Sequence, residues 1–77
     1  MNEKSGGKIV FILDEYLKKH PEVSKNKIVL GSKMQRTQFR NYYKNKVVRV
    51  DLAVLARMCD YLKCDLHDII KYIPSKN

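Results

Sequence analysis

From Leu13 onward, apolar residues fall mostly at helical spacing, and short breaks separate the runs. The first run, Leu13 to His20, places Asp14 and Glu15 in its early turn and Lys18, Lys19 and His20 at its end. That order of charge suits the helix dipole, and Pro21 stops the element. Ser24 is a good N-cap for a short second helix through Leu30, with Ile28 and Val29 inward. Gly31, Ser32 and Lys33 make a break. A third helix starts near Gln35 and ends at Tyr43 or Lys44, with Phe39 and Tyr42 or Tyr43 facing inward at i, i+3 and i+4. Asn45 suits a left-handed stop, and Lys46 to Val50 reads as an extended connection.

Asp51 caps a fourth helix to about Leu62, in which Leu52, Leu55, Cys59 and Leu62 recur at helical spacing. Val54, Met58 and Tyr61 form a second apolar stripe on it. That stripe fits first a helix buried nearly all round; the alternative is a contact surface for a second copy or a partner protein. Asp65 caps a fifth helix with Leu66, Ile69, Ile70 and Ile73 on one side, and Pro74 ends it. Ahead of all these, Lys8 to Ile12 is apolar and β-branched, which fits a short strand or the first turn of a helix; the pattern leaves both open. The expectation is an all-α domain of five short helices over residues 8–74, with or without one N-terminal strand. Residues 1–7 and 75–77 read as tails.

A chain of 77 residues is one domain with a modest core. Its 44% apolar content is that of a globular protein, too high for a disordered basic tail. No apolar run approaches the ~18 residues of a membrane span, and the polar start lacks the apolar core of a signal peptide. A cytoplasmic, nucleoid-associated protein is expected. Cys59 and Cys64 make no disulfide framework, and their spacing is not that of a common zinc knuckle. Adding His20 and His67 gives a formal four-ligand set, but the plain reading puts Cys59 in the core and Cys64 in a turn. No metal or cofactor is expected. His67 beside Asp68 reads as a surface pair, and no nucleophile, base and acid can be grouped, so an enzyme is not expected.

Charge changes the picture most. Between Glu22 and Asp51 there is no acidic residue, while Lys25, Lys27, Lys33, Arg36, Arg40, Lys44, Lys46 and Arg49 all lie there. The remaining eight bases balance the eight acids, so the whole net charge of +8 belongs to this window. Charge segregated in this way points to a polyanionic partner. Within the window the third helix sets Arg36, Arg40 and Lys44 every four residues on its outer side. Thr37 and Asn41 run beside them, with Gln38 at the margin. Arg reads guanine O6 and N7, Asn and Gln read adenine N6 and N7, and Thr meets a base edge or the thymine methyl.

These residues resemble a known family. The stretch from Val23 to Tyr72, above all "YYKNKVVRVDLAVLARMCDYLKCDLHDIIKYIP", is similar to the Cro and lambda-repressor-like (XRE-type) helix-turn-helix domains of short bacterial and phage regulators. The resemblance implies that helices two and three form the helix-turn-helix, about residues 24–44, with Gln35 as N-cap of the recognition helix. Arg36, Thr37, Gln38, Arg40 and Asn41 are then expected at bases. Ser24, Lys25, Gln35, Lys44, Asn45, Lys46 and Arg49 are expected at phosphates, the first pair because a helix start offers free amides. Val29 stands where the family has Ala. Lys33 stands where it has Gly, so a lysine at positive φ is implied at about 1 kcal/mol.

The function expected is a sequence-specific, double-stranded DNA-binding regulator, a repressor acting as a homodimer. The alternative is a DNA-binding antitoxin or mobile-element accessory module whose fourth and fifth helices dock a partner protein. Single-stranded RNA would need exposed aromatic platforms, and a membrane surface would need a broad apolar face among the bases; neither is evident in the window.

Overall fold

The computed structural model describes residues 7–75. The tails expected at the two ends fall, apart from Gly7 and Ser75, outside the described residues. The elements run β1 (Lys8–Phe11), α1 (Leu13–Lys19), α2 (Lys25–Gly31), α3 (Arg36–Tyr43), α4 (Leu52–Leu62), a three-residue 3-10 turn (Leu66–Asp68) and β2 (Ile70–Ile73). The core is built from Phe11, Leu13 and Tyr16 at the N-terminal end, Ile28, Val29 and Met34 around α2, Phe39 and Tyr42 of α3, and Val54, Leu55, Met58 and Ile69.

The expected fifth helix is replaced by the 3-10 turn and a strand. Among the described residues, four helices and a two-stranded antiparallel sheet result, with Ile9 opposite Tyr72 and Phe11 opposite Ile70. The physical reason is the β-branched run Ile69, Ile70 and Ile73 meeting a partner of like character in Lys8–Phe11. A lone strand would leave its backbone groups unpaired; each four-residue segment supplies the ladder the other needs. The turn itself is closed by Asp68, whose Oδ2 accepts the Asp65 N–H at 2.9 Å. Ile12 then donates to the Ile69 carbonyl at 2.8 Å, which continues the ladder toward α1.

Both capped helices start where the sequence places them. Ser24 Oγ accepts from the Lys27 amide at 3.1 Å, and Asp51 Oδ1 accepts from the Ala53 amide at 2.9 Å. The inward stripe of α4 differs from the expected one. Leu52 is 76% exposed, whereas Val54 and Met58 are buried with Leu55. The Val54, Met58 and Tyr61 stripe is therefore packed mainly inside the domain and offers no continuous contact surface. Its last member, Tyr61, lies against Gly31 at the end of α2; a Cβ on Gly31 would collide with the Tyr61 ring.

That contact explains the displaced glycine. Gly31 is needed for close approach of α2 and α4, and the left-handed position falls to Lys33 at φ 55°. The turn is a Schellman motif: Met34 N–H bonds to the Val29 carbonyl at 3.1 Å and Lys33 N–H to the Leu30 carbonyl at 3.3 Å. Val29 and Met34 are both buried, which supplies the apolar contact that accompanies the motif.

Candidate nucleic-acid interface

Helix α3 is held from below. Phe39 and Tyr42 are buried, and Tyr42 stacks on Phe11 of β1 with ring centroids 4.7 Å apart. The Tyr42 hydroxyl accepts from the Asp51 amide at 3.2 Å, which ties α3 to the start of α4. At about 100° per residue, Thr37 lies opposite the middle of this buried face. Thr37, Arg36 and Arg40 are exposed, and Gln38 and Asn41 are half-buried. Gln35 is the N-cap in extended conformation, and its side chain makes no capping bond.

The polar side chains divide between two flanks. Toward α2, Arg36, Arg40 and Lys44 line a hollow of about 310 Å³ with Lys25, Asn26 and Tyr43. Lys25 Nζ sits 4.1 Å from the Tyr43 ring centroid, a cation–π contact that fixes the start of α2 beside the end of α3. Toward α4, Thr37, Gln38 and Asn41 line a second hollow of about 560 Å³ with Lys33, Gln35 and Arg57. The first flank is a row of cations, and the second carries the amide and hydroxyl groups. Among the described residues, close contacts between basic and acidic side chains are confined to His20 with Glu22 at 3.6 Å and His67 with Asp68 at 3.7 Å. The cations of the central window are thus unneutralised within the described residues.

Past α3 the chain makes a second Schellman turn. Asn45 is left-handed at φ 59°, with Lys46 N–H on the Asn41 carbonyl at 2.8 Å and Asn45 N–H on Tyr42 at 3.1 Å. The Asn45 carboxamide is engaged on both sides: Oδ1 accepts the Phe11 amide at 2.6 Å, and Nδ2 donates to the Phe11 carbonyl at 3.1 Å. Asn45 thus shapes the loop, and its carboxamide is turned to β1 where a phosphate contact was expected. Lys44, Lys46 and Arg49 are exposed around it. Ser24 Oγ is likewise occupied as an acceptor by its cap, which leaves its hydroxyl hydrogen for an anion.

Sequence reasoning did not single out Arg57 or Asn26. Arg57 Nε donates to the Ser32 carbonyl at 2.8 Å, so it braces the helix-turn-helix turn from α4. It lies outside the acid-free window, and only tertiary packing brings it there. Asn26 sits beside Lys25 on the flank of the α2–α3 hollow, a placement visible only once the two helices are packed.

The two cysteines are free and half-buried. Burial pushes the Cys64 thiol up to about 11, with Cys59 and Asp68 adding to the shift. A thiol so placed is neutral and unreactive at neutral pH. Among the described residues, no helix is long and apolar enough to cross a membrane.

Residues 13–75 match the family of Cro/C1-type helix-turn-helix DNA-binding domains. Among solved structures, the chain is similar to the transcriptional regulator VanUg, at 28% identity and a TM-score of 0.72, over 90% of this chain and 89% of that one. No curated protein matches it.

Proposed function

The chain belongs to the Cro/C1-type helix-turn-helix DNA-binding family, and from that premise we propose that it is a sequence-specific repressor acting on double-stranded DNA as a homodimer. It is a DNA-binding transcriptional regulator of the XRE/Cro type, a family of regulators and not of enzymes. The observation that carries the finer reading is the uncovered face of α3. Its cations have no acidic partner among the described residues, and its Thr, Gln and Asn side chains line one flank.

Arg36, Thr37, Gln38, Arg40 and Asn41 read base edges in the major groove. Lys25, Lys44, Lys46 and Arg49 hold phosphates on either side, with Ser24 and Gln35 adding polar contacts at the two helix starts. Lys33 and Arg57 join the phosphate set from the turn and from α4. Asn45 builds the loop that presents Lys44 and Lys46. Occluding a promoter requires only occupancy, which this domain supplies. The partner-docking alternative loses its support, because the fifth helix is absent and Val54 and Met58 are buried.

Selection of bound duplexes from a random DNA pool at ~150 mM salt tests this reading. A two-fold symmetric motif with half-sites about 10–10.5 bp apart is the expected result. A pool without enrichment would reduce the basic face to non-specific affinity and refute sequence-specific repression.

A further inference from the structure

Beside the DNA-reading helix lies an apolar patch that the fold leaves uncovered. In the sheet, Ile9 and Phe11 point to one face together with Ile70 and Tyr72. Phe11 and Ile70 pack into the core, but Ile9 is 68% and Tyr72 62% exposed. The loop after α3 comes alongside: Val48, fully exposed, and Val50, 40% exposed, line a hollow of about 340 Å³ with Ile9, Phe11 and Ile70. A valine with its whole side chain in water, next to an exposed isoleucine, is not explained by the packing of one chain. Scattered apolar residues on a surface need no explanation, whereas a contiguous patch marks an interaction site.

We propose that this patch, centred on Ile9, Val48, Val50 and Tyr72, is where a second copy of the chain docks when two copies occupy adjacent half-sites. The inference rests on the DNA-binding reading above and names the surface that reading requires. Three observations select a second copy as the occupant.

The first is position. Val48 follows Arg40, at the middle of α3, by eight residues, and the chain between them, which turns at Asn45, spans less than about 20 Å. A ~34 Å spacing of recognition helices puts each about 17 Å from the two-fold axis, so an axis at Val48 lies within reach. The second is continuity. The patch shares its loop with Lys46 and Arg49, so contact between copies and contact with phosphate are made by one segment.

The third is size and charge. Four exposed apolar side chains are far fewer than the 20–30 residues a side, about 800 Å² per partner, of a standard interface. Lys8 lines the same hollow, and Lys46 and Arg49 flank Val47 and Val48 along the chain, so two free copies repel each other. DNA phosphates neutralise these charges. The contact is therefore weak in free protein and forms on DNA, where it appears as cooperativity.

The test uses the full chain and duplexes carrying either one or two copies of the half-site recovered from the random pool. Wild type should bind the paired site with a Hill coefficient near 2 and about tenfold more tightly than the lone half-site. The neutral double variant Ile9→Ser/Val48→Ser should drop to a coefficient near 1 while keeping lone-site affinity within about threefold. Circular dichroism checks that it is folded. Val48→Ser alone, at a fully exposed loop position, should lose part of the cooperativity and guards against a strand defect. Cooperativity unchanged in both variants would overturn the surface, and non-cooperative wild-type binding would overturn the second copy. Failure of wild type to bind either duplex would remove the DNA reading beneath both.

Discussion

Asn45 ends α3 in a left-handed conformation and, from the same position, hydrogen-bonds both backbone groups of Phe11. Asn tolerates that backbone better than other residues bearing a side chain, and its carboxamide continues the edge of β1 as a third strand would. Asn45→Ala removes two hydrogen bonds worth about 1 kcal/mol each and adds left-handed strain of about 1 kcal/mol. Urea unfolding should show a loss of roughly 2–3 kcal/mol, while the folded variant keeps its DNA affinity within about threefold. A loss of DNA affinity on all sequences alike, with unchanged stability, would return Asn45 to the phosphate set. The left-handed stop was legible in the sequence because residue type and the end of the periodic run coincide there. The bond to Phe11 was not, since 34 positions separate the partners. Lys33 was legible in the same limited way: its positive φ followed from its place in the motif, but the reason Gly31 stands earlier lies in Tyr61, on another helix.

At the scale of elements, the contact of α2 with α4 sets how the helix-turn-helix is held. Gly31→Ala would drive a Cβ into the Tyr61 ring. Tyr61 is 41% exposed and can swing partly aside, so a cost of about 1–2 kcal/mol is expected. In the Tyr61→Ala background the same change should be neutral or slightly stabilising, because alanine is the better helix former. Equal costs in both backgrounds would show that the ring is not the obstacle. The four helices could be read from periodicity, caps and breaks. The second strand could not, because Leu66, Ile69, Ile70 and Ile73 satisfy helical spacing as well as they fit a buried turn and strand. What decides is a partner sixty residues away: β1 offers a ladder only to an extended Ile70–Ile73. The apolar stripe of α4 was ambiguous for the same kind of reason. Its burial depends on α2, α3 and the sheet closing round it, which no local window records.

For the whole molecule the governing fact is where the charge sits. A net +8 confined to one window, with close contacts between basic and acidic side chains among the described residues limited to two histidine–acid pairs, leaves the α2–α3 face positive and uncompensated. That much was plain in the sequence, as was the order of Arg, Thr, Gln and Asn on α3. The division of these side chains between two flanks, and the bracing of the turn by Arg57, needed the fold. In the function proposed, the amide-bearing flank reads bases while the loop lysines hold the backbone. The most direct test is a titration of wild type, Asn41→Ala and Lys46→Ala against the selected duplex and all its single-base variants, at two salt concentrations. Asn41→Ala should lose roughly 1–3 kcal/mol on the selected duplex, become indifferent at one base pair and keep the wild-type salt slope. Lys46→Ala should weaken every duplex alike and reduce the slope by about 1. Uniform weakening by Asn41→Ala, with every base preference intact, would contradict base reading by this flank.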